Sequence, residues 1–274
     1  MPSARAGDGT AIAYESAGEG PIALMLLHGW AGSRRYFEPM VDQLDLDGAR
    51  VVSIDLRGHG ESGDWTQPYT NEQIAGDVVS VADELGNDGF VAVGFSMSAK
   101  FVQFLPLVQP RRVRGLILVA GCPAGAVALP PAMLEDWYGR AGDGARMAEL
   151  TASFASRPIA EDVLARFGRE AARIPRAALE QTMELCTTSS FADRLDALDL
   201  PALVVGGRHD PLFTPDLLRE RVVAPLHGAR LALLDAGHEV PVEQPNELAA
   251  VVEAFIAGAR PAISAVRSMG SAGA

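Results

Sequence analysis

Short apolar runs alternate with longer amphipathic stretches along most of the chain. The apolar runs are rich in Val, Ile and Leu, end at Gly, Pro or Asp, and lack the regular polar alternation of a half-exposed strand. Such runs are typical of strands buried on both faces of a mostly parallel sheet. The predicted strands are Ile22–Leu27, Arg50–Ile54, Phe90–Phe95, Val113–Ala120, Ala202–Gly206 and Arg230–Leu234.

The stretches between these runs have apolar positions with the period of an α-helix. The predicted helices are Asn71–Leu85, Met97–Val108, Pro215–Val223 and Asn246–Ala259. Thr70 is placed to cap the first of them and Gly86 to end it. Strands and helices in alternation predict an α/β fold, in which helices flank both faces of a mostly parallel central sheet.

The alternation is interrupted between the fourth and fifth predicted strands, where no strand-like run occurs. Helices are predicted there at Pro131–Arg140, Gly144–Ser156, Ile159–Ile174 and Arg176–Cys186, with a short helical return at Phe191–Leu198. We therefore expect a core formed by residues 1–121 and 200–260, and a helical lid formed by residues 122–199. The last residues, 261–274, become small and polar and are expected to be a disordered tail.

A serine stands at the junction between a predicted strand and a predicted helix. Ser96 follows Phe90–Phe95, and Met97–Val108 begins directly after it. A serine nucleophile needs such a sharp, exposed turn, with small residues two before and two after it, as in G-x-S-x-G. This chain has Gly94 before and Ser98 after, so the pentapeptide alone is as consistent with an ordinary helix N-cap as with a nucleophile.

An acid and a histidine follow two later strands. Asp210 comes shortly after Ala202–Gly206, and His238 comes shortly after Arg230–Leu234. The carboxyl ends of parallel strands meet at one edge of a sheet, which brings both side chains toward Ser96. We therefore predict that His238 is the base for Ser96 and that Asp210 orients it. The alternative, in which Asp210 is only a turn residue, is disfavoured because the other strand end that could supply the acid, after Val113–Ala120, is followed by Gly121 and Cys122.

Two further loops complete a family pattern. Leu-Leu-His28-Gly-Trp30 follows the first predicted strand, and Asp-Leu-Arg57-Gly-His59-Gly-Glu-Ser follows the second. With these loops, the chain resembles the α/β-hydrolase superfamily from about Gly9 to Gly258, with the order Ser, Asp, His. The resemblance implies an oxyanion hole formed by the backbone N–H groups of Trp30 and Met97.

The other histidines are expected to have structural roles, outside the catalytic chemistry. His28, His59 and Arg57 are interpreted as scaffold of the loops beside the oxyanion hole, and His209 and His227 as surface residues.

A serine at this position limits the chemistry. The haloalkane dehalogenases and epoxide hydrolases of the superfamily use aspartate there, so we expect acyl transfer to serine followed by hydrolysis. Esters, lactones and thioesters all fit an enzyme of this carboxylic ester hydrolase type. Two alternatives stay open: a C–C bond hydrolase or cofactor-free haloperoxidase (perhydrolase) of the same fold, and a small-molecule receptor that hydrolyses slowly, which the Ser98 variant of the motif allows.

The residues near these positions are mostly apolar, which favours a small hydrophobic substrate. The predicted substrate-binding residues are Trp30, Phe95, Trp137, Tyr138, Phe154, Phe213 and Val240, with Met97, Phe167 and Met183 as further candidates and Leu56 and Trp65 placed near the entrance. The sequence indicates no cluster of arginines near these positions, so a phosphate-bearing or carrier-bound substrate is not predicted.

Composition limits the binding partners and the cellular compartment that we expect for this protein. The formal net charge is −12 and no basic stripe occurs, which argues against nucleic-acid binding. No secretory signal or apolar run of membrane-spanning length is visible, so a cytoplasmic protein without membrane attachment is expected. The two cysteines, Cys122 and Cys186, form no Cys/His cluster and fit a reducing compartment. No metal and no cofactor are predicted, and the sequence does not indicate an oligomeric state.

Overall fold

One sheet of eight strands forms the centre of the computed structural model, which describes residues 2–45, 47–63 and 69–265. The strands are β1 Ser3–Arg5, β2 Ala11–Ala17, β3 Glu19–Leu27, β4 Asp47–Ile54, β5 Phe90–Phe95, β6 Val113–Val119, β7 Ala202–Gly207 and β8 Arg230–Leu234. Their order in the sheet is β1-β2-β4-β3-β5-β6-β7-β8. The pairs from β4 and β3 onward are parallel, whereas β1 pairs antiparallel with β2 and β2 antiparallel with β4.

The predicted α/β class is confirmed, and each predicted strand corresponds to one of β3 to β8. The two antiparallel strands at the sheet edge were not predicted. β1 has only three residues, which is too short to show a pattern of apolar positions. β2 shows no continuous apolar run, because its buried residues Ile12–Tyr14 are followed by the exposed residues Glu15 and Ser16. β1 pairs with β2 across a short connection, whereas the pairing of β2 with β4 depends on contacts distant in the sequence, such as Tyr14 opposite Ile54, which local periodicity does not report.

Side chains on successive residues of the central strands enter two separate cores. In β3, Ala23 and Met25 pack on one face, while Leu24 and Leu26 pack on the other. Both faces are fully apolar because helices cover each of them, which is why these strands appear in the sequence as continuous apolar runs.

The helices are α1 Glu38–Val41, α2 Asn71–Glu84, α3 Met97–Val108, α4 Pro131–Tyr138, α5 Gly144–Phe154, α6 Glu161–Ala171, α7 Arg176–Thr188, α8 Pro215–Leu218, α9 Val240–Glu243 and α10 Pro245–Ala265. Short 3₁₀ segments occur at Arg34–Phe37 and Ala192–Ala197, and a π-helical turn, Arg219–Val223, extends α8. Within the described part of the chain, none of the helices combines the length and the apolarity that crossing a membrane requires.

The last helix extends beyond its predicted end at Ala259. α10 continues to Ala265, five residues into the segment that was expected to be a disordered tail. Alanine is the strongest helix former, so a sequence of small residues can prolong an existing helix. The rest of that segment, 266–274, lies outside the described residues, as does Trp65.

Four helices, α4 to α7, lie between β6 and β7, in the segment predicted to be a lid. We call residues 122–199 the helical insertion. It has a small core of its own, in which Trp137, Leu150 and Met183 are buried, and Trp30 from the loop after β3 packs against them. The insertion therefore packs over the carboxyl end of the sheet.

A buried ion pair connects α2 to the loop after β4. Arg57 donates from Nε and Nη2 to the two carboxylate oxygens of Asp77, at 2.8 and 2.6 Å, and from Nη1 to Asp8 at 2.8 Å. The side chains of Arg57 and Asp77 are 5% and 4% exposed. Arg57 thus holds α2, this loop and the N-terminal segment together.

We predict that Asp77→Ala lowers the free energy of unfolding by about 3 kcal/mol, because it leaves a buried guanidinium with half of its partners. Asp83→Ala is the matched control, since Asp83 is also on α2 but its ion pair with Arg112 is exposed; it should cost less than about 1 kcal/mol. Urea denaturation of both variants measures the difference, and equal losses would contradict the structural role of Arg57.

Candidate active site

Ser96 has an unusual backbone conformation at the end of β5. Its φ is +52° and its ψ is −117°, a region that non-glycine residues rarely adopt. The Ser96 N–H donates to Val119 O at 2.8 Å, and its C=O accepts from Ala99 N at 3.1 Å and from Cys122 N at 3.0 Å. These bonds to β6 and α3 maintain the sharp turn that holds the Ser96 side chain at the carboxyl edge of the sheet.

The residues on either side of this turn explain the pattern around Ser96. A Cβ atom on Gly94 would lie 2.5 Å from the carbonyl oxygen of Ser98, so glycine is required there. Ser98 is fully buried, and its hydroxyl donates to the carbonyl oxygen of His28. The serine that replaces the usual glycine therefore fits, and it also connects α3 to the loop after β3.

The three predicted partners meet in one hydrogen-bond chain. His238 Nε2 lies 2.9 Å from Ser96 Oγ, and His238 Nδ1 lies 2.8 Å from Asp210 Oδ2. The other oxygen of Asp210 accepts from the backbone N–H groups of Leu212 and Phe213, at 2.8 and 2.9 Å. Asp210 and His238 are 3% and 4% exposed, so both are held in a largely water-free environment.

Asp210 is stabilised as a carboxylate. Burial alone would raise its pKa, but the adjacent His238 and the N–H groups of Phe213 and Leu212 outweigh burial, so the pKa of Asp210 lies below its usual range. A charged Asp210 accepts a hydrogen bond from Nδ1–H of His238, which leaves Nε2 as the acceptor that faces Ser96.

The loop after β3 lies against Ser96. A Cβ atom on Gly29 would lie 2.8 Å from the Phe95 ring and 3.2 Å from Ser96 Cβ. Trp30 follows directly, and its indole Nε1–H donates to Leu179 O in the helical insertion at 2.9 Å. This position next to Ser96 is compatible with the predicted role of the Trp30 backbone N–H as an oxyanion donor.

His28 and His59 are buried in the loops as expected for scaffold. His28 Nε2 accepts from Leu56 N at 3.1 Å, and its Nδ1–H donates to Gly29 O at 2.8 Å. Burial lowers the pKa of both imidazoles, that of His59 to about 3 with a further contribution from His28. Both are therefore neutral at pH 7 and are separate from the Ser96 hydrogen-bond chain. His209 and His227, in contrast, are exposed, as predicted.

A cavity of about 320 Å³ opens beside Ser96 and His238. Of the predicted substrate-binding residues and candidates, those that line it are Trp30, Phe95, Met97, Trp137, Phe154, Phe167, Met183 and Phe213. The described lining also includes Ala128 and Arg221, both exposed, so the cavity reaches solvent on that side. Arg221 is the one cation among these lining residues; the sequence pattern did not indicate it.

Tyr138 and Val240 do not line the cavity, so these two assignments are corrected. Trp137 and Tyr138 are consecutive in α4, and consecutive helical side chains point about 100° apart, so Trp137 faces the cavity and Tyr138 packs beside Trp30. Val240 is fully buried in the core beneath α10. Leu56, predicted near the entrance, is likewise buried in the sheet core.

Tyr36 and Glu239 also line the cavity and had no signal in the sequence. The ring of Tyr36 stacks between Phe95 and Phe167, with centroids 4.9 and 4.5 Å away, and its hydroxyl donates to Glu239. Burial raises the pKa of Glu239 well above its usual value, and Glu243 raises it further. The surroundings of Glu239 therefore disfavour a negative charge on this carboxyl beside His238.

Comparisons with known proteins identify the family of the fold. The sequence profile of the alpha/beta hydrolase fold matches residues 22–245. A pimeloyl-[acyl-carrier protein] methyl ester esterase from Stenotrophomonas maltophilia is 28% identical and covers 90% of this chain and 97% of its own. A non-heme haloperoxidase from Rhodococcus erythropolis is also 28% identical and covers 84% of this chain and 90% of its own.

Among solved structures, the enol-lactonase from Burkholderia xenovorans LB400 superimposes with a TM-score of 0.81 at 25% identity, covering 93% of this chain and all of its own. Because the profile spans most of the chain, this protein belongs to the alpha/beta hydrolase fold family.

Proposed function

We propose that this protein is a serine-dependent carboxylic ester hydrolase, which forms an acyl-enzyme on Ser96 and releases the acid with water. The observation that supports this proposal most directly is the hydrogen-bond chain from Ser96 through His238 to Asp210, whose serine end faces an apolar cavity. A serine hydroxyl is a weak nucleophile at neutral pH, and an adjacent, oriented base is what activates it. The names of the relatives, an ester hydrolase and a lactonase among them, support the same reaction class.

Each proton transfer has a donor and an acceptor in this chain. His238 Nε2 takes the proton of Ser96 as the oxygen attacks the ester carbonyl, and Asp210 stabilises the imidazolium that forms. His238 then returns this proton to the leaving alcohol. A water molecule, activated by His238 in the same way, attacks the acyl-enzyme and frees Ser96.

The negative charge on the carbonyl oxygen needs donors in place before the reaction. Met97 is the first residue of α3, so its N–H has no acceptor within the helix and lies at the positive end of the helix dipole. The Trp30 N–H, in the loop that packs against Ser96, is the second proposed donor. Two backbone donors of this kind are among the larger contributions to catalysis in acyl transfer.

The cavity favours a small hydrophobic substrate. Its volume of about 320 Å³ lies at the lower end of the range for small-molecule sites, and aromatic and aliphatic side chains form most of its wall. Burial disfavours the charged form of the Glu239 carboxyl in this wall, which also favours an uncharged acyl group. Short esters and small lactones fit this description.

We predict that Ser96→Ala reduces the turnover of p-nitrophenyl acetate by at least about 10³-fold, because the attacking oxygen is removed. Ser80→Ala, on α2, is the matched control and should keep wild-type turnover. A fluorophosphonate should label the wild type and the Ser80 variant at Ser96, as mapped by mass spectrometry, and should leave the Ser96 variant unlabelled. Wild-type rates in Ser96→Ala would refute the proposal.

Asp210→Asn should lower kcat by about 10⁴-fold without unfolding the protein, since the amide favours the wrong tautomer of His238. Asp216→Asn, in the same region but 85% exposed on its side chain, should have little effect. Kinetics and thermal melts of both variants separate catalysis from stability, and a nearly silent Asp210→Asn would place the acid elsewhere.

The cavity wall on α5 gives a test of substrate size. Leu150 is buried in this wall, so Leu150→Trp should reduce kcat/KM for p-nitrophenyl octanoate by about tenfold more than for the acetate. Glu149→Trp adds the same side chain on the exposed side of α5 and should leave the octanoate-to-acetate ratio unchanged. An unchanged ratio in both variants would mean that the acyl chain does not occupy this cavity.

A further inference from the structure

The two cysteines of the chain line the cavity and its one lysine lies next to them, although the three are distant in the sequence. Cys122 Sγ and Cys186 Sγ lie 3.2 Å apart as free thiols. Lys100 Nζ donates to Cys186 O and Ser189 O, both at 2.6 Å, and to Gly125 O at 3.0 Å. Three carbonyls from two separate segments thus converge on one buried ammonium.

The backbone holds the two thiols together. Val127 N donates to Thr187 O at 2.9 Å, and Phe191 N donates to Ala124 O at 3.2 Å, so two backbone hydrogen bonds join the segment that follows Cys122 to the segment that follows Cys186. A disulfide has a sulfur–sulfur distance of about 2.05 Å, so an approach of about 1 Å would complete the bond.

A small solute can reach these thiols from solvent. Cys122 and Cys186 are only 1% and 5% exposed, yet both line the cavity, which opens to solvent beside Arg221. A molecule the size of hydrogen peroxide fits a cavity of about 320 Å³ easily. Bulky thiol reagents and other protein chains have no comparable access.

The surroundings distinguish the two sulfur atoms. The pKa of Cys186 lies below its usual value, because Cys122 donates a hydrogen bond to it and the Lys100 ammonium favours the thiolate, against the opposing effect of burial. The pKa of Cys122 is raised, since its S–H is engaged with Cys186 and burial disfavours its thiolate. Cys186 is therefore the thiol that reacts first with an electrophile.

We propose that Cys122 and Cys186 are a reversible oxidation site, at which hydrogen peroxide converts the two thiols into a disulfide that joins the start of the helical insertion to the end of α7. The Cys186 thiolate attacks a peroxide oxygen and breaks the O–O bond, which gives a sulfenic acid; the departing hydroxide takes up the proton that the Cys186 thiol lost, so one water leaves. The Cys122 sulfur then attacks the sulfenic sulfur, the S–O bond breaks, and the second water leaves with the Cys122 proton.

The covalent ring would enclose residues 122–186, which include α4, α5, α6 and most of α7. Closing so long a ring restricts the unfolded chain strongly and fixes one side of the cavity wall. The oxidation site does not rest on the proposed ester hydrolysis, because its formation is read from mass and melting temperature without any substrate.

The experiment treats the folded, full-length protein with hydrogen peroxide. The intact mass should fall by about 2 Da for the loss of two hydrogens, and peptide mapping should show Cys122 joined to Cys186 within one chain. The melting temperature should rise by roughly 5–10 °C and return to its original value with dithiothreitol.

The single variants assign the roles of the two sulfur atoms. Cys122→Ser should stop at a sulfenic acid on Cys186, which dimedone traps, and Cys186→Ser should react at least about tenfold more slowly because the activated thiol is absent. The melting temperature of neither variant should rise on oxidation. The proposal is overturned if the folded wild type keeps both thiols at a peroxide concentration that oxidises the urea-unfolded chain, or if its oxidised cysteines join separate chains.

Discussion

The left-handed backbone at Ser96 is the constraint on which the rest of the site depends. Such a conformation costs of order 1–3 kcal/mol for a residue with a side chain, so the surrounding structure must hold it. The bond from Ser96 N to Val119 O and the close packing of Gly94 against α3 supply that support. Ser96 then lies at the edge where the parallel strands β3 to β8 all end, so the loops that follow β3, β7 and β8 deliver Trp30, Asp210 and His238 to it.

The helical insertion takes part in positioning these groups as well as covering them. The backbone N–H of His238 donates to Phe154 O at the end of α5, and Glu243 accepts from the N–H groups of Ser156, Arg157 and Gly237. The loop that presents the histidine is therefore built jointly by the core and by the insertion. A movement of α5 would alter the His238 backbone and the cavity wall together, so substrate access and catalytic geometry are physically coupled.

The distribution of polar groups in the cavity follows from the same packing. Tyr36, held between two phenylalanine rings, engages the carboxyl of Glu239 close to His238, while the cation Arg221 lies at the solvent end. Between them the wall is apolar except for thiols and hydroxyls, among them the Cys122–Cys186 pair where the insertion meets the strand ends. An apolar wall of this kind strengthens the electrostatic interactions of the Ser96 hydrogen-bond chain.

The sequence by itself determined the α/β class, the strands β3 to β8, the order of the main helices, and the strand-end positions of Ser96, Asp210 and His238, because each depends on local periodicity or on the residue that ends a buried strand. It did not determine the short strand β1, the pairing of β2 with the distant β4, or which of Trp137 and Tyr138 faces the cavity, because that depends on how α4 packs. Glu239, Arg221 and the approach of Cys122 to Cys186 were decided by tertiary structure alone. Residues far apart in the chain acquire their shared environment only when the insertion folds over the sheet, and no local pattern records that contact.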